Sequence, residues 1–216
     1  MAVIEHHSAL TSFVGDPANI KTLLHVGCGL KTRFDIKGFE GADWRELRLD
    51  INPAVKPDIV GSITDMSMVP AGSVDAVYSS HNIEHVFPHE ASLVLAEFRR
   101  VLRDDGFVVL TCPNLQSVCQ HIAEGRIDEP LYISPAGPIS AIDALYGFRP
   151  AIANGHVYMA HRSGFTVKTL TRTFFDAGFP VCISGAQSST HAIWALAFKQ
   201  YRSKAEVSNQ LLAYLP

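Results

Sequence analysis

Little in this chain is built for charge. Aspartate, glutamate, lysine and arginine make up 18% of its 216 residues, below the quarter usual in globular domains, and the net charge is −3 with histidines neutral. No block of like charges occurs, so neither nucleic acid nor an anionic membrane surface is an expected partner. Cysteine is scarce as well. Cys28, Cys112, Cys119 and Cys182 are scattered and form no C-x-x-C pair, which argues against a zinc site or a disulfide framework and makes a reducing cytoplasm the expected compartment. No bound metal is expected. Long apolar runs are also missing: no stretch approaches the ~18 residues of a membrane span. The N-terminus carries Glu5, His6 and His7 where a signal peptide would have a basic and then an apolar segment.

What is present is apolar and punctuated. At 47% hydrophobic, the chain suits a single domain, 1–216, with a sizeable core. Its organising stretch is Thr22-Leu23-Leu24-His25-Val26-Gly27-Cys28-Gly29, a short apolar strand broken by glycines. Open α/β sheets use such a turn to bring backbone close to a nucleotide-like ligand.

In chain order, 1–20 show no strong period, with Gly15-Asp16-Pro17 as a turn. The first strand spans 22–26. The segment 30–43 contains Gly38 and Gly41 and reads as a short helix or irregular loop. Strands follow at 44–50, 58–60, 74–79 and 107–111, with a helix over 88–102 whose Val94, Phe98 and Val101 share one face. From Pro113 to Arg162 prolines interrupt the rhythm. This reads as an ordered insertion with helical pieces at 115–124 and 140–146, the second opened by Ser140 and Asp143 as a capping box. Thr166 caps a helix closed by Gly178, strands at 179–184 and 192–199 form an antiparallel pair, and Ser203 with Glu206 caps a last helix.

A ligand in such a sheet sits beyond the carboxyl ends of the parallel strands. Gly27-Cys28-Gly29, Asp50, Asp65-Met66 and Ser79-Ser80-His81 converge there. The glycines admit backbone N–H groups, Asp50 can accept two ribose hydroxyls, and Asp65 can accept from an exocyclic amine while Met66 packs on a base. A dinucleotide site fits less well, because no glycine completes G-x-G-x-x-G.

VGCG, RLDINP, GSITDM, VDAVYSSHNIEHV and RRVLRDDGFVVLTCPN, taken in order, resemble the class I S-adenosylmethionine-dependent methyltransferases of the type 11-like branch, from Thr22 to Asn114. The resemblance implies an α/β fold: a Rossmann-like three-layer sandwich with a seven-stranded, mostly parallel sheet of order 3-2-1-4-5-7-6, strand seven antiparallel. It implies S-adenosyl-L-methionine as cofactor and S-adenosyl-L-homocysteine as product. Gly27 and Gly29 would face the methionine part, Asp50 the ribose, Asp65 and Met66 the adenine, and Ser79, Ser80 and His81 the sulfonium. His25, Cys28 and Ile51 complete the candidate cofactor set. Two positions depart from the pattern: His25 stands where the family has an acid, and Lys31 where it has a third glycine.

Histidines are the candidate catalytic groups, since their pKa lies near working pH. His85 leads, followed by His81 and His156, with His161 close to the last. The expected activity is methyl transfer to a small or medium polar organic acceptor such as a sugar, glycan or natural product. Residues 113–162 would form the lid. The competing reading, prompted by His25 and Lys31, is an inactive methyltransferase-fold protein serving as a binding or interaction module.

Overall fold

The structure is a computed structural model that describes residues 20–216. The expected turn at Gly15-Asp16-Pro17 lies outside the described residues. Nine strands and six α-helices follow. They are β1 (Lys21–Val26), β2 (Trp44–Asp50), β3 (Ile59–Val60), β4 (Val74–Ser80), α1 (Ala91–Val101), β5 (Leu102–Pro113), α2 (Leu115–Ala123), β6 (Pro130–Ser134), β7 (Gly137–Ser140), α3 (Ala141–Tyr146), α4 (Arg149–Ala153), α5 (Val167–Asp176), β8 (Val181–Gln187), β9 (Ala192–Phe198) and α6 (Lys204–Tyr214).

Seven strands form one sheet of order β3-β2-β1-β4-β5-β9-β8, the expected order, with β9 antiparallel to both its neighbours. Alternation along each strand sends side chains to opposite faces. Leu24 and Val26 of β1, Val77 of β4 and Val108 and Leu110 of β5 pack with Phe98 of α1 and Leu170 and Phe174 of α5. Leu23, Tyr78, Phe107 and Val109 face the other way, under Val207, Leu211 and Tyr214 of α6. Helix α1 earns its place through Ala91, Val94, Leu95, Phe98 and Val101, all buried at spacings of three and four.

The second face is closed unusually. Between β1 and β2 the chain makes only one 3-10 turn, Arg33–Asp35, as the glycines at 38 and 41 foretell. Phe39, Trp44, Phe107 and Tyr214 fill the space, with Phe39 4.8 Å from both Trp44 and Tyr214 between ring centroids. The C-terminal helix α6 thus covers what a crossover helix would cover.

Two expectations shift. Helix α1 starts at Ala91, because 88–90 form a turn in which Glu90 accepts from the Phe87 N–H at 2.8 Å. It ends at Val101, since Leu102 is fully buried and pairs with Val74 as the start of β5. The insertion holds more order than its prolines suggest. β6 and β7 form a hairpin, and Val118, Ile139, Ala141 and Ala144 make a small core of their own. Pro130, Pro135 and Pro138 mask this hairpin in the sequence. The chain returns alongside its own start, with Leu115 N–H donating to Phe165 O at 2.8 Å and Arg162 N–H to Glu84 O at 2.8 Å.

Candidate active site

The glycine turn after β1 is held from β2. Gly27 and Gly29 have φ of +60° and +53°, the left-handed region that glycine enters freely. A Cβ on Gly27 would meet the Asn82 side chain at 2.6 Å, whereas above Gly29 the space is open. Asp50 Oδ2 accepts the Gly29 N–H at 2.8 Å, and its Oδ1 accepts the Asn52 N–H at 2.8 Å. Arg48 donates to Gly29 O. Each Asp50 oxygen keeps a lone pair for a further donor, so the side chain can hold the turn and still receive a ribose hydroxyl. Ile51, beside it, is half exposed and offers an apolar surface to a base.

His25 is 1% exposed and does not face solvent. Its Nδ1 lies 2.7 Å from Glu46 Oε1, and its ring packs edge-on against Tyr78 at 5.3 Å. A carboxylate from the neighbouring strand β2 thus stands beside β1. Nothing in the sequence pattern marks Glu46, which reads as the outward charge of an alternating strand. Cys28 is a packing residue: burial pushes its thiol up to about 11, so it carries no thiolate at neutral pH.

Asp65 is exposed after β3, where Ser67 donates to it and holds its carboxyl below the usual range. The expectation for Met66 needs correcting. Its side chain is fully buried in the main core and cannot pack on a base; only its backbone, whose carbonyl accepts from Arg100, is available. Ser79 and Ser80 split by alternation: Ser79 points inward with its Oγ unpaired, and Ser80 lines a cavity.

That cavity, about 330 Å³, opens at the carboxyl ends of β4 and β5. Its walls include Lys31, Tyr78, Ser80, His81, Thr111, Tyr132 of the insertion hairpin, and Trp194. The size falls in the range of small-ligand pockets. The Thr111 hydroxyl is buried there without a protein partner. His81 adopts φ +49°, rare for a residue other than glycine, with its N–H bound to Thr111 O at 2.9 Å.

A smaller cavity of about 220 Å³ lies behind, lined by Glu84, Pro113, Leu115, Tyr146 and His161 among others. Glu84 stands between the two: its Oε1 is 3.5 Å from His81 Nδ1 and 3.9 Å from His161 Nε2. Burial works to raise the Glu84 carboxyl, but the facing rings of His81, His85 and His161 outweigh it and hold it below the usual glutamate range. Burial pushes the His161 imidazole down, against the opposing pull of the Glu84 charge. His85 sits on the 3-10 turn Ile83–His85, its Nδ1 3.3 Å from Ala160 O. His156 stands apart from both cavities, exposed and bonded to Tyr158 at 2.8 Å. Of the insertion histidines, His161 and not His156 joins the cluster.

These strand ends have counterparts among known proteins. The profile of a family described as a methyltransferase domain matches residues 24–110, covering β1 to β5. Over those residues the chain is similar to S-adenosylmethionine-dependent methyltransferase domains. Among solved structures, the PH0226 protein from Pyrococcus horikoshii is 13% identical with a TM-score of 0.57, over 84% of this chain and 82% of that one. A methyltransferase from Methanosarcina mazei is 16% identical with a TM-score of 0.52, over 84% and 93%. The Burkholderia thailandensis 1,6-didemethyltoxoflavin-N1-methyltransferase, solved with 1,6-didemethyltoxoflavin and S-adenosylhomocysteine bound, is 14% identical with a TM-score of 0.50, over 83% and 71%. At these identities the likeness is one of fold. A search of curated proteins finds no match. No helix among the described residues is long and apolar enough to cross a membrane.

Proposed function

We propose that the chain is an S-adenosylmethionine-dependent methyltransferase acting on a small or medium polar organic acceptor, such as a sugar, a glycan or a natural product, received in the larger cavity beneath the 113–162 insertion. The observation that carries the reading is the continuity of that cavity. It runs from Lys31 at the glycine turn, past Ser80 and His81, to Tyr132 of the insertion. When bound, S-adenosylmethionine would supply an electrophilic methyl group for bonding to an acceptor lone pair, its sulfur being the leaving group.

The chain's own part is alignment and water exclusion, which can contribute several kcal/mol to such a step. Asp50 receives the ribose, Gly29 presents open backbone, and the Glu46-backed His25 sits behind Tyr78 where the cofactor's ammonium is expected. His81 is the proton acceptor, being 40% exposed at the cavity wall with Glu84 behind its Nδ1. The lining sets the aromatic rings of Tyr78, Tyr132 and Trp194 beside polar Ser80, Thr111 and Gln187, which suits a polar organic acceptor. Thermal-shift titration with S-adenosylmethionine and S-adenosylhomocysteine tests cofactor use; ligand at 100 times its Kd should stabilise by about 2.7 kcal/mol. Labelled-methyl transfer to a panel of sugars, phenols and heterocycles then tests the acceptor class. No shift with either ligand at millimolar concentration would sink the reading.

A further inference from the structure

We propose that Glu84, His85 and His161 form a binding site for one divalent transition-metal ion on the wall of the smaller cavity. The reason begins with an unpaired carboxylate. Glu84 is 1% exposed, and neither of its oxygens accepts a well-formed hydrogen bond; the nearest ring nitrogen, His81 Nδ1, stands off at 3.5 Å. A buried carboxylate without a partner costs several kcal/mol, so such a group is normally paired or coordinated.

His161 and His85 do not supply the missing hydrogen. His161 Nδ1 lies 2.9 Å from Ala144 O, and a carbonyl only accepts, so the ring hydrogen is on Nδ1. In the neutral ring, Nε2 then turns a lone pair toward Glu84 Oε1 at 3.9 Å. Two acceptors face each other with nothing shared between them. His85 is oriented the same way, with Nδ1 at 3.3 Å from Ala160 O and its ring 4.9 Å from that of His161. Metal-binding histidines characteristically fix their second nitrogen on a backbone carbonyl in this manner. One ligand atom from each of the three residues lies within 4.8 Å of the others. Bonds of about 2.1 Å in a tetrahedral site place ligands about 3.4 Å apart.

The scaffold is firm. Glu84 O receives the N–H groups of Arg162 and Ser163, which ties the segment bearing His161 to the turn bearing Glu84 and His85. Two imidazoles and one carboxylate suit Zn²⁺ or Mn²⁺ better than Mg²⁺ or Ca²⁺. Three protein ligands leave a position open to the cavity, the pattern of a site that also takes a substrate oxygen. The sequence conceals the site because its ligands are 76 positions apart (161 − 85) and follow no metal-ligand spacing.

The test uses the full chain, stripped with a chelator and dialysed, and titrated separately with Zn²⁺, Mn²⁺ and Mg²⁺ by calorimetry. One equivalent of Zn²⁺ or Mn²⁺ should bind in the micromolar range or tighter, with Mg²⁺ far weaker. Glu84→Gln and His161→Gln should each weaken it on the order of 100-fold while keeping S-adenosylmethionine binding and the circular dichroism of the parent. If burial makes Glu84→Gln unstable, His85→Asn on the half-buried turn gives the same reading. Co²⁺ absorption should show d–d bands that the variants lose. Absence of saturable binding to the parent, or unchanged affinity in the folded variants, overturns the proposal and leaves a His–Glu ion pair. Metal binding without detectable methyl transfer upholds the site and counts against the proposed acceptor reading alone.

Discussion

His25 Nδ1 and Glu46 Oε1 are 2.7 Å apart, with side chains only 2% and 11% exposed. The pair places a carboxylate behind β1 although β1 itself has none, and it joins adjacent parallel strands through side chains on one face. Glu46→Gln keeps the shape and removes the charge. It should lower affinity for both S-adenosylmethionine and S-adenosylhomocysteine about tenfold, since a charge-assisted contact is worth about 1.5–3 kcal/mol and this one acts through His25. Calorimetry with each ligand measures it; equal affinity in parent and variant would make the pair a purely structural one.

Asp50→Ala removes more. It takes away the expected ribose acceptor and also the acceptors of the Gly29 and Asn52 N–H groups. With hydrogen bonds to a charged group at about 1.5–3 kcal/mol each, cofactor affinity should fall at least about 100-fold. Asp50→Asn should fall less, because one carbonyl oxygen can still hold the turn. An Asp50→Ala protein that binds as tightly as the parent would move the ribose away from the end of β2.

The strand ends were legible because their signals are local. An apolar run stopped by glycines gives β1, alternation gives β2, and the capping boxes at Ser140 and Ser203 with the N-cap Thr166 mark three helix starts that the structure retains. The partnerships were not legible. Glu46 looks like any outward charge on a half-exposed strand until its register beside β1 is known. Glu84 and His161 meet only because the chain returns along its own 3-10 turn. Met66 was misread for a related reason: sequence position puts it at the site, while the direction of its side chain puts it in the core.

His81→Ala should separate chemistry from binding. The imidazole lines the cavity and contributes nothing to the glycine turn. Turnover on an acceptor found in the panel should fall on the order of 100-fold, the usual scale for loss of a general base, with cofactor Kd within about twofold of the parent. The acid limb of the pH–rate profile should disappear. An unchanged profile would remove His81 from the reaction.

The insertion offers a pH test that needs no ligand. Asp143 caps α3, accepting from Ser140 Oγ at 2.6 Å and from Arg149 Nε at 2.7 Å. Burial acts to raise its carboxyl, but Arg149 and Ser140 outweigh that and bring it from 3.8 to about 2. A carboxyl depressed by folding stabilises the native state fully above its unfolded pKa and loses that contribution as pH falls through the folded value. Arg149 is half exposed, so solvent screening trims the effect to about 1–2 kcal/mol. Asp143→Asn should therefore be less stable than the parent at pH 7 by that amount in urea unfolding. The gap should narrow from about pH 4 downward and nearly close by pH 2. A gap that persists undiminished at low pH would assign the loss to the cap's shape and not to its charge.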